Sequence, residues 1–138
     1  SNVGFATVEF ASSALVDMAY HSEPEAPEDP LSFEAQTLDR LGMPKAIAMR
    51  HATPHFLHVF SGDGYSAGYY SYMWSEVLDA DAFAAFEETG DHFDTELAEK
   101  LRRHIYAAGG SRDPEELYKA FRGRLPSPDA MMGKRGLA

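Results

Sequence analysis

Helix start signals recur along this chain and divide it into a series of separate helices. They stand at Asp29-Pro30, Asp94, Asp113-Pro114 and Ser127-Pro128. Aspartate or serine caps the free N–H groups of a first turn, and proline suits the first helical position. No segment shows the sustained apolar-polar alternation of a strand. We therefore predict an all-α fold with no confident strand.

The segment 4–20 carries a long helical pattern near the start of the chain. It is apolar on nearly every side, which is typical of a buried helix. Its acidic residues, Glu9 and Asp17, then need polar partners or a wet edge.

A second long pattern covers residues 69–88. Helical spacing places Tyr70 and Trp74 on an apolar arc and Tyr72 on the opposite side. We therefore predict that Tyr70 packs in the core and that Tyr72 points away from it.

Length and composition narrow the class of protein. The 138 residues are one domain's worth of chain, with apolar and charged shares of 44% and 25%, as in ordinary globular proteins. The lack of cysteine excludes disulfides and thiolate chemistry and fits a reducing compartment, so we expect a cytoplasmic location. The net charge of -10 argues against nucleic acid and anionic membranes as partners. No apolar run reaches the roughly 20 residues of a membrane span.

The first residues suggest a longer parent. The chain opens Ser-Asn without methionine and is already helix-like by Phe5. We expect an excised piece of a longer polypeptide, with a processed native N-terminus as the alternative.

The stretch GDGYSAGYYSYMW, residues 62–74, combines three glycines with four tyrosines. Glycine lets a backbone reach positive φ and pass close to another chain, and tyrosine presents a hydroxyl on an apolar ring. We therefore predict a mobile loop that covers a ligand. For Tyr65 and Tyr72, a core position and a functional role are both open from the pattern alone. A phenol can donate to a developing oxyanion.

Three histidines, His51, His55 and His58, follow i, i+4, i+7 spacing. On an unbroken helix they would form a metal cluster, but Pro54 interrupts the helix and no carboxylate stands at ligand spacing. Scattered surface histidines are the alternative that we favour, so we assign no metal ligand. His58 lies just before the glycine loop and could share its target.

The segment HVFSGDGYSAGYYSYMWSEVLDADAF resembles part of the thimet oligopeptidase and peptidyl-dipeptidase family of zinc metallopeptidases. Its specific pattern, G-Y-x-A-x-Y-Y-x-Y-x-W-S-E, is matched throughout from Gly64 to Glu76. FATVEFASSALVDMAYH and GGSRDPEELYKAFRGRLPSPDAMMGKRGL extend the similarity over nearly the whole chain. The form A-G-Y-Y-S-Y-M-W is most similar to the bacterial peptidyl-dipeptidase and oligopeptidase A branch.

The resemblance implies a mostly helical peptidase with zinc at the floor of a channel. In the family, zinc is held by H-E-x-x-H and a later glutamate, and the first glutamate is the general base. This sequence has no H-E-x-x-H, because His51-Ala-Thr-Pro-His55 lacks the glutamate. Glu9 lies in a segment that fits a later family helix, so it is not assigned as a ligand.

The tyrosine loop is what the resemblance carries over to this chain. The family's loop, here with Gly62, Gly64 and Tyr69, closes over the substrate. The tyrosine matching Tyr65 contacts substrate, the one matching Tyr72 hydrogen-bonds the oxyanion, and a substrate-binding histidine precedes the loop. In this chain the residue that best matches this histidine is His58. Asp63 lies where many relatives have adjacent glycines, and it lengthens the spacing to Tyr65 by one residue.

These observations lead to one principal hypothesis and one alternative. Residues 1–138 are predicted to be a single helical C-terminal fragment, carrying the loop 62–72, of a peptidase that hydrolyses short peptides. Zinc is expected in the intact parent and not in this fragment, which we predict to be inactive alone. Expected partners are peptide substrates, the N-terminal catalytic part of the same polypeptide, and further copies of the fragment. The alternative is a stand-alone all-α module that binds peptide or protein.

Overall fold

All regular elements of residues 2–137, the part described by the computed structural model, are helical. This confirms the all-α prediction. The α-helices are α1 (Val3–His21), α2 (Pro30–Arg40), α3 (Leu57–Phe60), α4 (Ser71–Thr89), α5 (Thr95–Leu101), α6 (Pro114–Arg122) and α7 (Asp129–Lys134). A 3-10 turn spans Thr53–His55, and a π-helical turn, Arg102–Tyr106, continues α5.

The helix starts follow the capping chemistry of the sequence. Asp29 accepts the N–H groups of Leu31 and Ser32 at 3.1 Å each, with Pro30 as the first residue of α2. Asp94 and Asp113 cap α5 and α6 in the same manner. The predicted starts of these three helices are therefore confirmed.

The chain divides into two compact units, Ser1–Met73 and Trp74–Ala138, with the boundary inside α4. The core of the first unit contains the buried residues Ala14, Phe56, Val59 and Tyr69. Phe10 and Met49 pack against this core from partly buried positions.

The second unit has its own apolar core, formed by Ala85, Tyr118 and Phe121. A buried carboxylate, Asp81, lies beside it and accepts hydrogen bonds from the Tyr118 hydroxyl at 2.7 Å and from Arg124 at 2.7 Å. The Arg122 guanidinium also contacts Asp81, at 3.3 Å. Burial raises the pKa of Asp81, but Tyr118 and the two arginines outweigh it and hold the pKa below its ordinary value. Burial and the hydrogen bond to Asp81 raise the pKa of Tyr118 well above that of a free phenol.

The structure corrects three expectations about burial. Trp74, which the sequence places on an apolar arc, is 49% exposed. Phe5 and Leu15 on α1 are exposed, so the helix is not buried on every side. Tyr70 is 50% exposed and Tyr69 is only 9% exposed, so the prediction that Tyr70 packs in the core was wrong. The reason is that α4 begins at Ser71, and the helical phase used to place Tyr70 does not reach that residue.

None of the helices within residues 2–137 has both the length and the apolar character needed to cross a membrane.

Candidate active site

Four of the predicted site residues form one ring cluster in the first unit. His58 comes from α3, Tyr65 and Tyr69 from the loop that follows, and Tyr72 from the first turn of α4. The His58 ring centre lies 4.3 Å from that of Tyr65 and 5.8 Å from that of Tyr72. The Tyr65 and Tyr72 rings are nearly parallel at 6.1 Å. Residues that are up to fourteen positions apart in sequence thus share one surface.

A direct hydrogen bond joins two members of this cluster. His58 Nε2 lies 2.9 Å from the Tyr72 hydroxyl oxygen. If Nε2 carries the proton, it donates to Tyr72 and leaves the phenolic hydrogen free for another acceptor. If Nδ1 carries the proton, the Tyr72 hydroxyl donates to Nε2. The neighbouring Tyr65 phenol, with some burial, raises the pKa of Tyr72 above its ordinary value, so Tyr72 remains a neutral donor at neutral pH.

Tyr69 forms the floor beneath the exposed rings. Its ring stacks on Phe10 at 4.9 Å and meets Phe56 edge-on at 4.8 Å. Tyr72 lies 5.5 Å from Tyr69. A recess of about 410 Å³ opens above this floor. Its lining residues are Phe10, His51, Phe56, His58, Tyr69 and Tyr72. The recess is mainly aromatic, with the His58–Tyr72 pair as its polar edge.

The two predicted loop glycines, Gly62 and Gly64, are exposed and lie outside the ring cluster. Neither has positive φ, and a Cβ on either would have no heavy atom within 4 Å. The positive φ of the loop falls instead on Ala67, at 56°. Close backbone approach occurs at Gly68, where a Cβ would lie 3.2 Å from the carbonyl oxygen of Tyr65. The close backbone approach that requires glycine therefore occurs at Gly68, and not at the predicted Gly62 or Gly64.

Asp17 on α1 holds this part of the loop in place. Its carboxylate accepts the N–H of Ala67 at 3.0 Å and the N–H of Tyr69 at 2.9 Å. In the sequence, Asp17 is recognisable only as an acid that needs a partner. The signal for it is a carboxylate within a largely apolar helix. Its partners are main-chain N–H groups about fifty residues away, and main-chain N–H groups cannot be located from a pattern of side chains.

The sequence model of peptidase family M3 matches residues 1–137, nearly the whole chain. The chain belongs to peptidase family M3. This confirms the resemblance to the thimet oligopeptidase and peptidyl-dipeptidase family, whose tyrosine motif forms the ring cluster described above.

Relatives of this M3 chain include bacterial and plant peptidases. It is 39% identical over 140 residues to dipeptidyl carboxypeptidase of Salmonella typhimurium, and 51% identical over 85 residues to oligopeptidase A of Escherichia coli. It is also 37% identical over 129 residues to the organellar oligopeptidase A of Arabidopsis thaliana. These alignments cover 99%, 61% and 90% of the M3 chain, and 20%, 12% and 16% of the relatives. The chain thus spans a fifth or less of their length.

The described part of the M3 chain does not present a zinc site. No three His, Asp or Glu side chains within residues 2–137 come together as a group that could hold a metal ion. His51 stacks on Phe56 at 5.1 Å, and His58 bonds to Tyr72, so these two histidines have other contacts. His55 is exposed on the 3-10 turn. The described residues therefore offer no set of ligands for the zinc that the family implies.

Proposed function

We propose that this chain supplies the substrate loop and an oxyanion-stabilising tyrosine, Tyr72, to a zinc-dependent M3 peptidase that hydrolyses short peptides. Zinc, held by residues beyond these 138, would polarise the attacking water and the scissile carbonyl. The chain's own contribution is to bind the peptide and to donate a hydrogen bond to the carbonyl oxygen.

The observation that carries this proposal is the hydrogen bond between His58 and Tyr72. A phenol stabilises an oxyanion when its hydrogen is already directed outward and its ring is held in place. With the proton on Nε2, His58 donates to Tyr72 and leaves the phenolic hydrogen available to the carbonyl oxygen of a substrate. The raised pKa of Tyr72 keeps that hydrogen on the oxygen at neutral pH. With this tautomer the pair can donate a hydrogen bond to the carbonyl oxygen.

Tyr65 suits a binding role beside this pair. It is exposed, lies on the loop and faces Tyr72 with a nearly parallel ring. A peptide backbone that passes across the cluster would meet both phenols and His58. The predicted glycines, Gly62 and Gly64, let the loop tip approach that backbone without side chains in the way.

The exposed face of α1 supports a partner within the same polypeptide. Phe5, Val8, Leu15 and Met18 recur at helical spacing and are all exposed. An apolar stripe of this kind marks an interaction surface in a globular protein. Since the relatives are at least five times longer than the matched segment, we assign this face to the catalytic part of the longer chain. Self-association through the same face is the expected behaviour of the isolated chain.

Replacing Tyr72 with phenylalanine tests the catalytic role. In the full-length polypeptide, Tyr72→Phe should lower kcat about 100-fold or more with little change in KM, because the hydroxyl that donates to the developing oxyanion is lost while the ring remains. Hydrolysis of a quenched fluorescent peptide measures both constants. Tyr70→Phe is the matched control, since Tyr70 is exposed and outside the ring cluster, and it should leave both constants unchanged.

Two outcomes contradict the proposal. A change confined to KM after Tyr72→Phe would show that the phenol only binds substrate. Zinc-dependent peptide cleavage by the 138-residue chain alone would show that the metal site lies within it.

A further inference from the structure

Asp17 is a buried acid that the proposed chemistry does not use. Its side chain is 0% exposed, although it lies on a helix whose neighbouring residues Leu15 and Met18 face solvent. A buried carboxylate is costly unless hydrogen bonds replace its hydration. Here three donors do so. They are the N–H of Ala67, the N–H of Tyr69 and the Nδ1 of His21 at 2.8 Å.

His21, on the same helix, is the third hydrogen-bond partner of the Asp17 carboxylate. Its Nδ1 lies near both the carboxylate and the main-chain carbonyl of Asp17, at 2.8 and 3.0 Å. A protonated Nδ1 donates to these oxygens and fixes the carboxylate rotamer. Phe60 packs on the imidazole at 5.1 Å and limits its rotation. The carboxylate is therefore already oriented toward the loop.

The two backbone bonds fix a conformation that the loop would not adopt unaided. A left-handed φ costs a non-glycine residue roughly 1 kcal/mol. Ala67 adopts such a φ while its N–H donates a hydrogen bond to the Asp17 carboxylate. Two residues on, the second bond holds Tyr69, whose buried ring is the floor of the recess. The Gly68 carbonyl then accepts the N–H of Ser71 at 3.0 Å and leads directly into α4. Through this path Asp17 sets the position of Tyr72.

The preceding part of the loop has a different environment. Residues 62–65 are all exposed, a Cβ at Gly62 or Gly64 would have no heavy atom within 4 Å, and the Tyr65 ring contacts His58 at 4.3 Å. The Ser66 hydroxyl, which donates to the carbonyls of Val59 and Gly62, marks the junction between this tip and the part held by Asp17.

We propose that Asp17 is a positioning residue that divides the loop into a fixed frame, residues 66–72, and a moving tip, residues 62–65. The frame holds Tyr69 and Tyr72 in place before substrate arrives, and only the tip, with Tyr65, closes. The division is a property of this chain. Its catalytic consequence rests on the proposed function.

Amide hydrogen exchange in the chain itself tests the division. In the unmodified chain the amides of Ala67 and Tyr69 should exchange at least tenfold more slowly, relative to their intrinsic rates, than those of Gly62 and Gly64. Asp17→Asn replaces one carboxylate oxygen with an NH2 group, which cannot accept a hydrogen bond from a main-chain N–H. Amide exchange at Ala67 and Tyr69 should therefore become about tenfold faster or more. Equal exchange across the loop in the unmodified chain would overturn the proposal.

The matched control for Asp17→Asn makes the same chemical change in the second unit. Asp81→Asn also removes one charge from a buried aspartate, and it should leave the exchange of Ala67 and Tyr69 relative to the rest of the first unit unchanged. Far-UV circular dichroism establishes that both variants are folded. If the control speeds the two amides as much as Asp17→Asn does, the effect is general destabilisation and the proposal is wrong.

A double-mutant cycle in the full-length polypeptide tests the catalytic consequence. If Asp17 acts through Tyr72, adding Asp17→Asn to Tyr72→Phe should lower kcat less than twofold further, whereas Asp17→Asn alone should lower it about tenfold. If the kcat of the double variant is lowered by the product of the two single-variant factors, Asp17 does not act through Tyr72. A Tyr72→Phe variant with unchanged kcat would refute the proposed function, while the exchange data would still decide whether Asp17 divides the loop.

Discussion

Each unit contains a buried aspartate, and the two carboxylates meet different kinds of donor. Asp17 in the first unit accepts two backbone N–H groups and an imidazole. Asp81 in the second unit accepts a phenol and two guanidinium groups. Their side chains are 0% and 2% exposed, so burial does not distinguish them.

The donors decide what each carboxylate does. Side-chain donors such as Arg122 and Arg124 bring charge to Asp81, and the result is an ion-pair network that ties α6 to α4. Backbone donors bring no mobile side chain, so Asp17 instead fixes the path of the main chain itself. The first arrangement contributes to stability, and the second determines where Tyr69 and Tyr72 lie.

The largest expected effect comes from removing the carboxylate of the ion-pair network. Asp81→Ala should lower the free energy of unfolding by about 3 kcal/mol, because Arg122 and the Tyr118 hydroxyl lose a buried partner. The value lies at the low end for a broken buried pair, since Arg122 keeps Glu88 and Arg124 is half exposed. Urea denaturation measures it.

The exposed Asp79 provides the control for this substitution. It lies near Lys134 at 3.7 Å on the surface of α4, and Asp79→Ala should change stability by less than about 0.5 kcal/mol. A loss below about 1 kcal/mol for Asp81→Ala would remove the contrast between the two carboxylates.

Acid should weaken the Asp81 network by a smaller amount. The pKa of Asp81 is held below its ordinary value of 3.8 in the folded chain. A lowered pKa stabilises the folded form at any pH above the unfolded value, and that contribution is lost as the pH falls through the folded value. The stability difference between the unmodified chain and Asp81→Asn should therefore be constant from about pH 7 to about pH 5 and shrink below about pH 4. A difference that grows on acidification would reverse the sign and contradict this account.

The smallest effect is expected at Ala67, where the first unit's carboxylate holds the main chain. Ala67→Gly removes the strain of positive φ but adds unfolded-state entropy, so the free energy of unfolding should change by less than about 1 kcal/mol. Ala98→Gly in α5 is the control and should cost about 1 kcal/mol, because its helical φ needs no glycine. A larger loss at Ala67 than at Ala98 would mean that the Ala67 methyl group packs against the unit and that φ is not the constraint.

The helices were predictable because their signals are local. Asp29 caps groups two and three residues away, and the same short-range chemistry operates at Asp113. Tyr72 was placed on the exposed side from helix phase alone, and the structure agrees.

The floor of the candidate site was not predictable in the same way. Tyr69 and Tyr70 are adjacent and chemically identical, and the N–H of the buried Tyr69 donates to Asp17, about fifty residues upstream. Neither periodicity nor composition reports a hydrogen bond between a side chain and a distant main-chain N–H. The roles of His58, Gly62, Gly64, Tyr65, Tyr69 and Tyr72 in substrate binding and catalysis stay predictions.

The open surroundings of the loop tip have a consequence for how such chains diverge. A Cβ at Gly62 or Gly64 would meet no heavy atom within 4 Å, so we expect an added or deleted residue there to alter the reach of Tyr65 while leaving the register of α4 unchanged. Asp63 occupies this stretch. Under the proposed function, variation in loop length at the tip would change which peptides are bound, while the frame tied to α1 would keep Tyr69 and Tyr72 in place.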